Sequence, residues 1–207
     1  GFPFNFYGID RTECVIGSNG LISFDLAKAG GYCSWDLSGA GNMPNPGFDD
    51  AKSAVMLAYQ DMNPSAFVSP IGQIGYQTIG LAPNRMFIVL YKDINFFSCE
   101  TVCNYMSVIL YEGSNNIEVQ IGDKPLCADW NDGLSIQGIQ DDAGLNAVIT
   151  PGRNNAQWAA NQECKRWTPN SPGNTNSYTI SDEPYILVTS NSTEIQWEDT
   201  EGNTYPY

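Results

Sequence analysis

The chain has 207 residues, only 15% of them charged, and its 23 acidic and 9 basic side chains leave a formal net charge of −14. An average chain carries about 25% charged residues; the acidic excess repels phosphate backbones and anionic headgroups, which argues against nucleic acid and direct membrane insertion, and it favours oxygen-ligated Ca²⁺ as a counter-ion. Histidine is absent, which removes Ser-His-Asp triads, Cys-His pairs and histidine-ligated zinc and leaves carboxylate catalysis or none.

The length fits one domain plus an appendage. Phe2, Phe4 and Phe6 recur at every second position, the spacing that puts them on one face of an extended strand. Asn19-Gly20 reads as a tight turn joining Val15-Ile16 and Leu21-Ile22-Ser23-Phe24 into a hairpin. Residues 36–50, with Gly39, Gly41, Pro44, Pro46 and Gly47, form a long aperiodic loop, either functional or a tolerated insertion. Val55 to Tyr59 is apolar on both faces, as a central strand would be, and Met86 to Tyr91 and Met106 to Tyr111 read the same way. After a turn at Gly113-Ser114-Asn115, Ile117 to Ile121 alternates cleanly, so one of its faces is expected to be wet. Leu134 to Gln140 alternates too, before a turn at Asp141 to Gly144. One short helical turn is expected near Asn155 to Gln162, where Ala156, Ala159 and Ala160 favour it. The Pro169 to Asn174 cluster reads as a linker, followed by strands at Tyr185 to Val188 and Glu194 to Trp197 and a turn at Asp199 to Asn203. No apolar run approaches the roughly 18 residues of a membrane span, and a chain that starts on a strand reads as a mature or excised piece of something longer.

The order of several segments resembles a known pattern. FPFNFYG at residues 2–8, GSNGLISF at 17–24 and Ala58-Tyr59-Gln60-Asp61-Met62-Asn63 together resemble the nidogen-type extracellular (NIDO) domain. The closer resemblance is to surface proteins of gliding Bacteroidota. Gly31 to Trp35, Leu81 to Arg85, Lys124 to Cys127, Gln137 to Gln140 and Pro151 to Asn154 continue it over roughly residues 1 to 170. Asn63 stands where the related pattern has an acidic residue, and Cys14 and Cys164 are additions to it. The resemblance implies an extracellular, cell-surface adhesion module. The Trp197 run resembles the opening strands of immunoglobulin-like repeats, so residues 171–207 either begin a further repeat or complete the first domain.

Strand-like runs with turn signals between them predict an all-β, disulfide-linked β-sandwich over 1–170, with long loops, little helix and a short C-terminal β tail. The six cysteines, Cys14, Cys33, Cys99, Cys103, Cys127 and Cys164, include no CxxC pair; disulfides in an oxidising compartment account for them best. Fifteen pairings are open to six cysteines; Cys99 with Cys103 in a small loop, and the two additions Cys14 and Cys164 with each other, are two of the candidates. Asp61 and Asn63, two apart before Pro64, suit Ca²⁺ at a strand end, and Asp129 and Asp132 form a second candidate pair. Polar strand ends solvated by water explain both equally. Trp130, Trp35 and Trp158, with Trp167, lie in polar segments where an exposed indole stacks on a sugar ring or anchors a protein; burial in the core is the alternative. The expected function is non-catalytic adhesion, with a surface polysaccharide or protein ligand and neighbouring repeats as partners. A structural spacer, or a carbohydrate-active enzyme pairing Asp129 or Asp132 with Glu163, are the other readings. The Asn191-Ser192-Thr193 sequon is expected to be silent in a bacterial protein.

Overall fold

The structure is a computed structural model that describes residues 1–65, 73–171, 174–190, 195–198 and 204–205. The sequon and the Asp199 to Asn203 turn lie outside the described residues. The strands are β1 Phe4–Phe6, β2 Ile9–Arg11, β3 Val15–Gly17, β4 Leu21–Ser23, β5 Ala54–Tyr59, β6 Met62–Asn63, β7 Gln73–Ile79, β8 Met86–Phe96 and β9 Cys99–Tyr111. They continue as β10 Ile117–Lys124, β11 Leu134–Gln140, β12 Ala147–Ile149, β13 Ala156–Gln157, β14 Ala160–Ser171, β15 Asn174–Glu183, β16 Leu187–Ser190, β17 Ile195–Glu198 and β18 Thr204–Tyr205. The only helices among the described residues are short 3-10 turns at Leu26–Lys28, Asp49–Ala51 and Asn131–Gly133.

Two antiparallel sheets form the sandwich. The larger runs β15-β14-β10-β9-β8, with β7 and β6 both on the far side of β8; the smaller runs β12-β11-β5-β4-β3, with β13 also on β11. Alternation explains how they meet. Met106, Val108 and Leu110 of β9 and Ile117, Val119 and Ile121 of β10 share one cluster with Val55 and Leu57 of β5 and Ile139 of β11. Phe2, Phe4 and Phe6 join it, as their spacing predicts. Two buried aromatics cross the interior and satisfy their polar tips on the opposite sheet. The Tyr91 hydroxyl donates to the Gly17 and Leu21 carbonyls at 2.8 and 3.0 Å, and the Trp167 indole donates to the Val148 carbonyl at 2.9 Å.

Both outer faces are apolar as well, and both are covered. Leu37, Ala40 and Met43 from the 36–50 loop pack on Leu21, Met56, Tyr59 and Ile136, so that loop is a lid on the smaller sheet. On the larger sheet, Val188 and Ile186 pack with Ile79, Ile88, Leu90 and Ile109. This second cover overturns the expected wet face of β10. Glu118 and Gln120 are each only 2% exposed. The Arg166 guanidinium pairs with Glu118, the Tyr111 hydroxyl donates to it at 2.7 Å, and Gln120 Oε1 accepts from the Ile186 backbone N–H at 3.0 Å. Gln120 thereby holds the tail, while Glu118 is held within the sheet by Arg166 of β14 and Tyr111 of β9.

Three further expectations are corrected. The helical turn near Asn155 to Gln162 is replaced by β13 and the start of β14, because Ala160 pairs with Lys124 and Asn161 with Asp123 across the sheet; tertiary pairing overrides alanine's propensity. Of the Pro169 to Asn174 cluster read as a linker, Pro169 to Ser171 belong to β14 and Asn174 to β15, with Ser171 opposite Asn174 and Trp167 opposite Ile180. Cys99 is bonded to Cys127 rather than Cys103, while Cys14, Cys33, Cys103 and Cys164 are unpaired. Cys14 and Cys33 flank opposite faces of the smaller sheet, in its inner and outer clusters. Burial pushes the Cys14 thiol up to about 11 and raises Cys33, Cys103 and Cys164, which favours the protonated thiol.

The cover on the larger sheet makes a direct prediction. Truncation after Glu183 removes Ile186 and Val188, uncovering Ile88, Leu90 and Ile109, and is expected to cost about 3–5 kcal/mol at the apolar-burial rate. Urea unfolding of the shortened chain checks this; unchanged stability would contradict the packing.

Candidate functional site: an aromatic cluster at one end of the sandwich

Three chain segments meet at one end of the sandwich. The first carries Trp35 in the segment after β4. The Asn19 side chain, expected only to serve a turn, is buried and donates to the Cys33 and Ser34 carbonyls at 2.9 and 3.0 Å while accepting from the Met62 N–H at 2.9 Å. It thereby clips the Trp35 segment to the start of β6. The Tyr59 hydroxyl donates to the same Ser34 carbonyl at 2.9 Å. Gly20, at φ 75°, leaves room for this clip, since a Cβ there would lie 2.8 Å from the Ala58 carbonyl oxygen.

The second segment is the tip of the β8–β9 hairpin. Phe96 opposite Cys99 leaves Phe97-Ser98 as a two-residue turn, with Ser98 at positive φ. Phe97 is 41% exposed there, and its N–H donates to the Asp61 carbonyl at 3.2 Å. The third segment, Cys127 to Gly133, is fastened to the start of β9 by the Cys99–Cys127 disulfide. It turns sharply through Asn131, Asp132 and Gly133, all at positive φ, and a Cβ on Gly133 would lie 2.8 Å from the Cys127 carbonyl oxygen. Only glycine closes this turn without strain.

Together these segments place Trp130 against Phe97 and Trp35, with ring centroids 4.9 and 5.5 Å away. The Trp130 indole N–H donates to Asp61 Oδ2 at 2.7 Å. Asp61 is only 7% exposed; burial raises its pKa, and the indole hydrogen bond opposes that rise. The rings are half-buried to exposed, so one edge of the cluster is fixed by packing while part of its surface faces solvent.

The residues singled out from the sequence separate clearly. Trp35, Trp130 and Asp61 come together. Trp158 does not: it is 8% exposed, its indole donates to the Ser135 carbonyl, and Lys124 Nζ and Arg153 Cζ lie 4.4 and 4.3 Å from its ring centre. Lys124, with no surface exposure, donates to the Trp158 carbonyl at 2.9 Å, and desolvation pushes its pKa down to about 7. Trp167 is fully buried. Asn63 Oδ1 accepts from the Ser65 N–H and hydroxyl in a local turn rather than joining Asp61. Asp129 and Asp132 are exposed. Among the described residues no three or more Asp, Glu, Cys or His side chains gather at one place. Both Glu163 oxygens accept from the Arg153 guanidinium. Asn19 carried no sequence signal for this site beyond its turn, and Phe97 carried none.

Comparison with protein families gives one result: the NIDO-related family matches residues 1–182, and the chain belongs to it. No curated protein and no solved structure matches the chain. Among the described residues no helix is long and apolar enough to cross a membrane.

The Asp61–Trp130 bond can be separated from charge. Asp61→Asn keeps an acceptor for the indole and removes a buried charge, so stability at neutral pH is retained. Asp61→Ala leaves the indole N–H unpaired and is expected to cost about 1–3 kcal/mol. Because the folded pKa is raised, the protonated form's stabilisation is full below the ordinary carboxylate range and is lost as pH rises through the raised value. The balance therefore moves towards Asp61→Asn between acid and neutral pH. Denaturant unfolding at both pH values measures this; equal losses in the two variants would contradict it.

Proposed function

We propose that this member of the NIDO-related family is a non-catalytic, extracellular adhesion module of a large bacterial surface protein, of the kind used in attachment or gliding. Family membership supports the adhesive, extracellular reading. The observation that carries it to a site is the Trp35–Phe97–Trp130 cluster, built from three separate segments and fastened by a disulfide. Clustered aromatics with partly open faces stack on sugar rings or seat in a protein partner's pocket, and fixed rings lose little entropy on binding. In this reading Asp61 holds an indole rather than a cation, and Ca²⁺ is confined to neutralising the acidic exterior. Surface polysaccharide or a surface protein is the partner, and neighbouring repeats of the same chain present the module.

The test is binding to a panel of bacterial surface polysaccharides and cell-surface proteins, with Trp130→Ala and Phe97→Ala as variants. A ligand bound by the parent chain is expected to lose at least about tenfold in affinity in either variant, the scale of a binding hot spot, with no product released from the polysaccharides. Binding that survives both substitutions would contradict this site. Binding to nothing in the panel would favour a structural spacer.

A further inference from the structure

Lysine is almost never fully buried without a partner for its charge, yet Lys124, at the end of β10, has no surface exposure. Its amine donates to a single acceptor, the Trp158 carbonyl at 2.9 Å, and otherwise meets ring faces, with the Phe96 and Trp158 centroids 5.5 and 4.4 Å away. β14 sets Ala160 opposite it. On β11 the Ser135 carbonyl accepts from the Trp158 indole, while the buried Ser135 Oγ and Gln137 Nε2 have no hydrogen-bond partner. Few charges surround this cluster. Arg153 lies against the Trp158 ring and acts on Lys124 as a repulsion. Glu163 of β14 is bound to that guanidinium, and the exposed Asp123, next to Lys124 in sequence, accepts from Asn161. No carboxylate among the described residues compensates Lys124.

The acceptor that Lys124 holds is linked to the aromatic cluster. β13 ends immediately before Trp158 and pairs with β11 only at Leu134 and Ser135. Gln157 of β13 donates through Nε2 to the Asp132 carbonyl, inside the positive-φ turn that follows Trp130. Histidine, the side chain that ordinarily titrates near neutral pH, is absent, and burial raises the four unpaired thiols. Desolvation, with Arg153 adding to it, brings the Lys124 amine down to about 7.

We propose that Lys124 is a proton-operated latch on the Trp130 turn: as a neutral amine it holds the Trp158 segment against β10, and on taking a proton it lets that segment and the Asp132 turn loosen. An ammonium carries three donors and a charge, whereas this cluster supplies one carbonyl and a repelling guanidinium, so the protonated form gains by admitting water. Any effect on binding rests on the aromatic cluster being the binding site; the latch itself does not. The folded pKa lies below the unfolded one, so between about 7 and the ordinary lysine range the unfolded chain holds the extra proton. The contribution of Lys124 to stability therefore rises with pH through that window and is lowest, and flat, below it.

NMR of the ligand-free chain from about pH 5 to about 9 tests this through the lysine ¹³Cε and tryptophan indole N–H signals. One lysine is expected to titrate near neutrality, with the Trp158 and Trp130 indoles shifting at the same midpoint while the Trp167 indole, bonded to the Val148 carbonyl, stays still. Lys124→Met abolishes these shifts. Gln157→Ala, at an exposed position, keeps the Trp158 shift and loses that of Trp130, and it carries the test if Lys124→Met does not fold. In Asp61→Asn, which removes the carboxyl beside Trp130, the Trp130 shift persists. In urea unfolding the folding equilibrium of the parent gains on that of Lys124→Met by about tenfold per pH unit above about pH 8. A Lys124 that titrates with the other lysines, or a Trp130 indole that does not follow Trp158, would overturn the proposal. Because no ligand is present, either result leaves the test of the binding site separate.

Discussion

Strands β5, β8 and β9 carry apolar side chains on both of their faces, and every other arrangement in this molecule answers to that. Packing two sheets together hides only the inner faces. The outer ones need covers, which the chain supplies from residues 36–50 on one side and from Ile186 and Val188 on the other. On β10, Gln120 holds the second cover by accepting from the Ile186 backbone, while Glu118 beside it is engaged by Arg166 and Tyr111 of the neighbouring strands. Burying a carboxylate there is tolerable because its oxygens are fully engaged by a guanidinium, a hydroxyl and an amide.

The covers also decide where function can reside. With both broad faces occupied, the ends of the sandwich remain open. At one end Trp35 sits close to where the lid segment leaves the smaller sheet, clipped by Asn19, and the disulfide draws the Trp130 turn against the β8–β9 tip. The same bonds that start the lid and close the hairpin therefore assemble the aromatic cluster. The chain lacks histidine, and its Glu163 carboxylate is paired with Arg153.

Much of the framework was legible in the sequence because it is local. The two-residue spacing of Phe2, Phe4 and Phe6, the doubly apolar run of β5 and the turn at Asn19-Gly20 each require only neighbours in sequence to be read. What could not be read depends on partners far along the chain. Ala160 belongs to a strand only because Lys124 lies opposite it, Gln120 is tied to the returning tail through Ile186, and Cys127 finds Cys99 through the β9–β10 hairpin. The site divides in the same way. Trp35 and Trp130 stood out by residue type, whereas the acceptor role of Asp61 and the contribution of Phe97 depend on a contact between segments that no spacing encodes. Trp158 and Trp167 had the same local setting and went into the core.

The central claim is that the aromatic cluster is preformed, held by the Cys99–Cys127 bridge and the Asp61 acceptor before any partner arrives. Hydrogen exchange of the Trp130 indole N–H, followed by NMR in the oxidised and the reduced protein, tests it most directly. The account predicts slow exchange with the bridge intact and markedly faster exchange once it is reduced, at conditions where β5 and β9 amides stay protected. Fast exchange of that indole in the oxidised protein would contradict it.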